Sequence, residues 1–300
     1  MELTTLRQFR AIAESRHMTR AAEAMGVTQP ALSAMVKKLE AELGAPLLHR
    51  TRRGVELTEA GRVFLAHAQR AIAEAESGRD AVRQLAGLER GSIRVGGGAT
   101  ATTYLLPPVV SAVRRAQPGL RFYVREAGST AVAEAVLGGE LDLGIVTLPL
   151  AAPGADRLVR VPLVEDELRL LVPAAKDGGA GMLKRREGET GFRWADLKGV
   201  PFVAFEAGTA VRDMVDRAAE RAGVTLDVVM ELRSIEGIKS MVAAGIGVGL
   251  VSRFALAPGD GLICKDGRLT RRMAIVRLRG RAPSPAATLF ERELIAGMRR

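Results

Sequence analysis

Three polar side chains stand four residues apart near the start of the chain, at Gln29, Ser33 and Lys37. On a helix, this spacing puts them on one face. An amide can pair with adenine, a hydroxyl can reach base edges or phosphates, and an ammonium group attracts phosphates. The expected chemistry is contact with double-stranded DNA, by the set Thr28, Gln29, Pro30, Ala31, Ser33 and Lys37.

Two short helices have to position this face. Ala22 is small enough to let them approach, and Gly26 supplies the backbone freedom that ends the first. Thr28 is a plausible N-cap of the second, Pro30 fits its first turn, and Leu32 fills the space between them. This pattern predicts a helix-turn-helix whose second helix enters the major groove. The alternative is an ordinary helical hairpin packed inside a larger domain.

A basic hairpin follows these helices. The β-prone pieces at residues 47–50 and 55–58 flank a tight turn, and Arg50, Arg52 and Arg53 crowd its tip. We interpret it as a wing whose arginines contact phosphates or a minor groove. The net charge of +10 fits a polyanionic partner, although charge alone does not select one.

A long helix is expected from Thr58 to about Ala86, since no proline interrupts this stretch. Such a helix spans about 40 Å. Its apolar or small residues recur at heptad spacing, and no local segment is expected to bury them. A second copy of the chain is therefore expected to pair along a seam formed by Leu65, Ala68, Ile72, Ala75 and Val82.

The remaining two hundred residues alternate strand-like and helix-like segments, which predicts α/β architecture with parallel sheets. Ligands of such sheets bind beyond the carboxyl ends of the strands, where helix starts offer free N–H groups. A small carboxylate is one plausible ligand, and a neutral polar metabolite is another. The expected ligand-binding residues are Thr100, Thr102, Ser129, Thr147, Phe205, Gly208, Thr209 and Val248.

The loop after the first of these strands allows a rival interpretation. Gly96, Gly98 and Ala101 form a G-x-G-x-x-A pattern, which could hold a nicotinamide dinucleotide in an oxidoreductase, with Glu126 on its ribose. However, Pro107-Pro108 interrupt the helix that such a site needs.

Other catalytic or membrane classes have little support in the sequence. The chain has one cysteine and three scattered histidines, so neither a metal site nor a catalytic Cys/His pair is indicated. No apolar run is long enough for a membrane span. We expect no enzymatic activity, no cofactor and a cytoplasmic location.

Residues 18–61, "MTRAAEAMGVTQPALSAMVKKLEAELGAPLLHRTRRGVELTEAG", closely resemble the DNA-binding region of LysR-type transcriptional regulators. The resemblance implies a winged helix-turn-helix over residues 1–58 and a linker helix and hinge over 59–90. It also implies a two-lobed effector domain over 91–300 with the type 2 periplasmic-binding-protein fold.

In such a domain the effector lies between the lobes. Lobe I would cover about 91–163 and 268–300, and lobe II about 164–267. In the family, Thr100 and Ser129 match hydroxyl positions of the effector site. The resemblance further implies a tetramer that acts on RNA polymerase at promoters.

Overall fold

The structure is a computed structural model that describes residues 1–51, 54–85, 91–173 and 190–298. Its helices are α1 (Leu3–Ser15), α2 (Met18–Ala24), α3 (Gln29–Leu43), α4 (Glu59–Leu85), α5 (Leu106–Ala116), α6 (Ser129–Leu137), α7 (Ala210–Arg221), α8 (Ile235–Ala243) and α9 (Pro285–Met298). Its strands are β1 (Leu48–Thr51), β2 (Gly54–Leu57), β3 (Ser92–Gly97), β4 (Arg121–Glu126), β5 (Leu143–Leu148), β6 (Leu158–Leu171), β7 (Gly191–Phe192), β8 (Pro201–Phe205), β9 (Asp227–Leu232), β10 (Gly249–Ser252), β11 (Ile263–Cys264) and β12 (Thr270–Leu278). Short helical segments lie at Ala101–Leu105, Ala155–Arg157, Trp194–Leu197 and Arg253–Ala255.

The helix-turn-helix forms where the sequence predicts it. Gly26 has a φ of 65°, a conformation that a residue with a Cβ rarely adopts, and it separates α2 from α3. The hydroxyl of Thr28 accepts a hydrogen bond from the backbone N–H of Ala31 at 3.4 Å and so caps α3. Leu32 is fully buried between the helices. Turn, cap and core contact are thus as expected.

The wing is an antiparallel hairpin of β1 and β2 that is fixed to the helices at two points. The N–H of Val55 donates to the carbonyl of Arg16 at 2.9 Å. A carboxylate oxygen of Glu40 accepts from the N–H groups of Leu47 at 2.8 Å and Leu48 at 3.2 Å. The backbone of Arg50 pairs with Val55. Arg52 and Arg53 lie outside the described residues, so their predicted role stays a prediction.

The long helix α4 exists, but the idea that nothing local covers its apolar stripe is wrong. Helix α1 of the same chain packs on it, and Ala68 and Ile72 are buried against Leu6. Leu65 packs against a second cluster that contains Phe9. These three seam residues therefore belong to the core of their own chain. The other two, Ala75 and Val82, are exposed.

The C-terminal half is built on a six-stranded sheet in the order β10-β6-β12-β5-β3-β4. Strands β3, β4 and β5 are parallel, whereas β6, β10 and β12 pair antiparallel with their neighbours. The expected parallel arrangement thus holds only for part of the sheet. Residues 158–167 of β6 pair with β12 and residues 168–171 pair with β10, so this one strand runs through both lobes.

Each lobe has its own apolar core. In lobe I, Ile145 faces a cluster with α5 and α9, whereas the next residue, Val146, faces a cluster with α6. Helices therefore cover both faces of this sheet, as alternation along a strand requires. Lobe II packs around Trp194 and Phe202 on one side and around Ile238 on the other. Within the described residues, no helix is long and apolar enough to cross a membrane.

Thr58 connects the wing to α4, so its loss should destabilise the DNA-binding domain. Its hydroxyl donates to the carbonyl of Pro46 at 2.7 Å and accepts from the N–H of Gly61 at 2.9 Å. Thr58→Val should lower the free energy of unfolding by about 1–2 kcal/mol, the usual worth of an N-cap, in denaturant titrations. Thr4→Val, at an exposed position of α1, is the control with little expected effect. Equal losses in both variants would contradict this role for Thr58.

Candidate DNA-reading helix and effector cleft

Helix α3 has one buried face and one polar face. Leu32, Val36 and Leu39 are buried, whereas Ala31 and Lys37 are exposed. Gln29 and Ser33 are partly exposed, and Thr28 and Pro30 at the start of the helix are exposed. The arrangement leaves the N-terminal turn and a polar stripe accessible, as a recognition helix requires.

A cavity of about 360 Å³ lies between the two lobes. Its walls come from the loops that follow β3, β4, β8 and β9, together with residues of β5 and β12. Six of the eight predicted effector residues line it: Thr100, Ser129, Thr147, Phe205, Gly208 and Thr209. The rule that ligands gather beyond strand ends therefore located this cleft.

The other two predicted residues do not line the cavity. Val248 is fully buried in the core of lobe II, where it bridges to Phe202. It was misplaced because it precedes β10, whose carboxyl end is at Ser252. The hydroxyl of Thr102 donates to a carboxylate oxygen of Glu126 at 2.6 Å, and Glu126 is the residue that reaches the cavity wall.

Two of the predicted hydroxyls are engaged by the backbone. The hydroxyl of Thr209 accepts from the N–H of Arg212 at 3.2 Å and donates to the carbonyl of Glu206 at 3.0 Å, so it caps α7. The hydroxyl of Ser129 accepts from the N–H of Thr147 at 3.0 Å. These contacts hold the two residues in the cavity wall, where the starts of α6, α7 and α8 all lie.

Arg271 forms the floor of the cavity, and sequence reasoning missed it. Its Nε donates to Asp166 at 2.8 Å, and its Nη2 donates to the hydroxyl of Thr100 at 2.7 Å. Asp166 has no exposed surface and also accepts from the hydroxyl of Ser252 at 2.8 Å. No motif marks these residues, because β6, β10 and β12 bring them together from distant parts of the chain.

Two polar contacts lie at the margin of the cleft. Arg233 pairs with Glu206, and both residues line the cavity. The hydroxyl of Tyr104, in lobe I, donates to the carboxylate of Glu236 at the start of α8 in lobe II. Burial and this hydrogen bond raise the pKa of Tyr104, and the same bond with Lys239 nearby lowers the pKa of Glu236.

The glycine-rich loop has a packing role. Gly96 lies in β3, and a Cβ there would lie 2.5 Å from the end of the Leu141 side chain, so a larger residue would require that side chain to move. Residues Ala101–Leu105 form a π-helical segment before α5 starts at Leu106. Within the described residues, no group of three His, Cys, Asp or Glu side chains is arranged to hold a metal ion.

Two family models match the chain almost end to end. The model for the LysR substrate binding domain matches residues 86–299, and that for the bacterial regulatory helix-turn-helix protein of the lysR family matches residues 3–62. The chain belongs to the LysR family of transcriptional regulators. It is therefore a DNA-binding regulator with an effector-binding domain and not an enzyme, and nothing supports the oxidoreductase alternative.

Relatives and solved structures agree with this assignment. A probable RuBisCO transcriptional regulator of Cyanidioschyzon merolae is 32% identical over 258 residues, covering 85% of this chain and 82% of the relative. A full-length OxyR variant from Pseudomonas aeruginosa has a TM-score of 0.71 at 28% identity, covering 100% of this chain and 95% of that one. Full-length CbnR complexed with its target DNA has a TM-score of 0.67 at 23% identity, covering 99% and 100% of the two chains.

The contact between Tyr104 and Glu236 should stabilise the protein in a pH-dependent manner. Tyr104→Phe should lower the free energy of unfolding by about 1 kcal/mol at neutral pH. Because the pKa of Glu236 is lowered in the folded protein, this contribution is present above the ordinary glutamate pKa and is lost as the pH falls through the lowered value.

The measurement is denaturant unfolding of the parent and of Tyr104→Phe across this pH range. The chain contains one other tyrosine, Tyr123, which is exposed on β4, so Tyr123→Phe is a matched control. A difference between the parent and Tyr104→Phe that stays constant in acid would contradict the assignment to Glu236.

Proposed function

We propose that this LysR-family regulator reads its operator with α3 and the wing and controls promoter activity by binding a small organic effector in the cleft. The polar face of α3, set opposite a fully buried face, is the observation that carries the DNA-reading part. Gln29 and Ser33 would contact base edges, while Lys37 and the wing arginines Arg50, Arg52 and Arg53 would contact phosphates. Binding to chromosomal DNA would place the protein in the cytoplasm.

Self-association through α4 is the second part of the proposal. Because Leu65, Ala68 and Ile72 are used within the chain, the surface left for a partner is another stripe of the helix. It consists of the exposed residues Ala71, Ala75, Gly78 and Val82, whose spacing of four, three and four is that of a heptad seam. A pair of chains joined there would present two recognition helices to a dyad-related operator.

A tetramer would need a second surface, and the edges of the sheets supply a candidate. Strand β4 is the edge of the six-stranded sheet, and its Tyr123 and Val124 are about half exposed. Strand β9 is paired on one side by β8 and exposes Val229. Exposed strand edges with apolar side chains favour association. Joining two dimers into a tetramer requires two different surfaces on each chain.

Base recognition can be tested by changing α3 at single positions. Gln29→Ala should reduce discrimination between an operator fragment selected from a random pool and unrelated DNA by about 1–3 kcal/mol, the worth of a good base contact. Lys37→Ala should weaken binding to both DNAs and reduce the salt dependence by about one phosphate contact. Fluorescence anisotropy titrations at several salt concentrations measure both effects.

The control for charge is Lys198→Ala, which removes an exposed lysine of lobe II. It should leave operator affinity and salt dependence unchanged. If Gln29→Ala kept the full ratio of operator to random affinity, the assignment of α3 as the base-reading element would be wrong.

The seam on α4 can be tested with a charge. Val82→Asp places a carboxylate in the proposed contact and should shift the protein towards monomers in sedimentation velocity, because an unpaired buried charge costs about 3–5 kcal/mol. Val63→Asp is the matched control, since Val63 is an exposed valine on a different face of the same helix. Equal oligomeric states for the parent and Val82→Asp would exclude this stripe as the seam.

A further inference from the structure

Arg271 is a buried cation that lines the effector cleft. Its relative exposure is 8%, yet it forms part of the cavity wall. Its Nε and Nη2 donate to Asp166 and Thr100, whereas its Nη1 has no hydrogen-bond partner within the described residues. A guanidinium group has five N–H donors, so this side chain keeps donors for a further acceptor.

The position of this guanidinium is fixed from behind. Asp166 is inaccessible to solvent and is itself held by the hydroxyl of Ser252, while Thr100 holds the other side of Arg271. A group held in this manner loses little conformational freedom when it binds a ligand. Thr100 and Asp166 are thus positioning residues for Arg271.

The charges that line the cleft limit how many anionic groups it can accept. Arg233 and Arg271 are its cations, and Glu126 and Glu206 are its anions, so the lining has no net charge. Arg271 is also paired with Asp166 behind the wall, so it offers an anion its remaining N–H donors and not an uncompensated charge. Arg233 already pairs with Glu206. A ligand with a second anionic group would therefore meet a carboxylate or have to break this pair.

The rest of the wall near Arg271 is largely apolar. Ile145, Phe205, Ile235 and Met273 line the cavity, and all four are mostly buried within the lobes. Such a wall favours a ligand with an apolar body, because burial of apolar surface stabilises the complex. The cleft thus combines one anchored cation with an apolar enclosure.

We propose that Arg271 recognises the effector and that the effector is a small organic molecule with a single carboxylate on an apolar body. The inference rests on the proposed function, in which this cleft is the effector site. The carboxylate accepts hydrogen bonds from the free N–H groups of Arg271, and the apolar body lies against Ile145, Phe205 and Met273.

The test uses three probes that share a six-carbon skeleton: hexanoate, adipate and hexan-1-ol. Isothermal titration calorimetry with the full chain should show the highest affinity for hexanoate, a lower one for adipate and the lowest for hexan-1-ol. We expect hexanoate to bind roughly tenfold more tightly than hexan-1-ol, since a hydrogen bond to a charged group contributes about that much affinity. A preference for adipate, or no binding of hexanoate up to its solubility limit, would overturn the proposal.

Variants test whether Arg271 causes the preference for hexanoate over hexan-1-ol. Arg271→Gln should bind hexanoate no better than hexan-1-ol, and Arg271→Lys, which keeps the charge, should retain part of the difference. Arg272→Gln is the matched control: Arg272 is exposed on the same strand and does not line the cavity, so hexanoate affinity should change by less than about threefold. If Arg271→Gln does not fold, the Arg271→Lys variant and the relative affinities of the parent for the three probes still test the proposal.

A further variant tests the preference for a ligand with a single negative charge. Glu126→Gln removes one negative charge from the wall and should raise the affinity for adipate relative to hexanoate. Unchanged relative affinities would contradict the proposed charge balance. The operator titrations are independent of these probes, so a failure of Arg271 as anchor is distinguishable from a failure of DNA recognition by α3.

Discussion

The buried ion pair of Asp166 and Arg271 is the interaction on which the effector domain depends. It joins β6 and β12 in the region where β6 passes from one lobe to the other. Loss of one partner would leave an uncompensated buried charge, which typically costs about 3–5 kcal/mol. Through Thr100 and Ser252 the pair also links the two lobes. The same residues therefore form the floor of the cleft and the connection between the lobes.

The neighbouring acid on β6 serves the opposite face of the strand. Glu167 is also buried, and it accepts a hydrogen bond from Arg268 at 2.9 Å. Alternation along the strand thus directs Asp166 to the cleft and Glu167 away from it. The ion pair on one face of β6 thus lies directly behind the cavity wall, and the ion pair on the other face lies away from the cavity.

Lobe I also contacts the helix that carries the DNA-binding domain. Arg281 pairs with Glu74 of α4 at 3.0 Å and donates to the carbonyl of Ala73 at 3.2 Å. Gln69 donates to Glu140 at 2.9 Å. A Cβ on Gly139 would lie 2.6 Å from the side chain of Ala73, so this contact is close. A change in lobe I would therefore act directly on α4, which in turn packs on α1.

The sequence by itself determined the helix-turn-helix, the wing and the loops that surround the cleft. These depend on local chemistry: a glycine with positive φ at residue 26, a threonine cap at residue 28, and polar residues after strands. Only the tertiary structure decided that Ile72 is covered by α1, that Val248 lies in a core, and that Arg271 meets Asp166 and Thr100. The physical reason is that burial and ion pairing depend on which distant segments become neighbours in the fold. The spacing of residues along one helix or strand does not specify which segment packs against it.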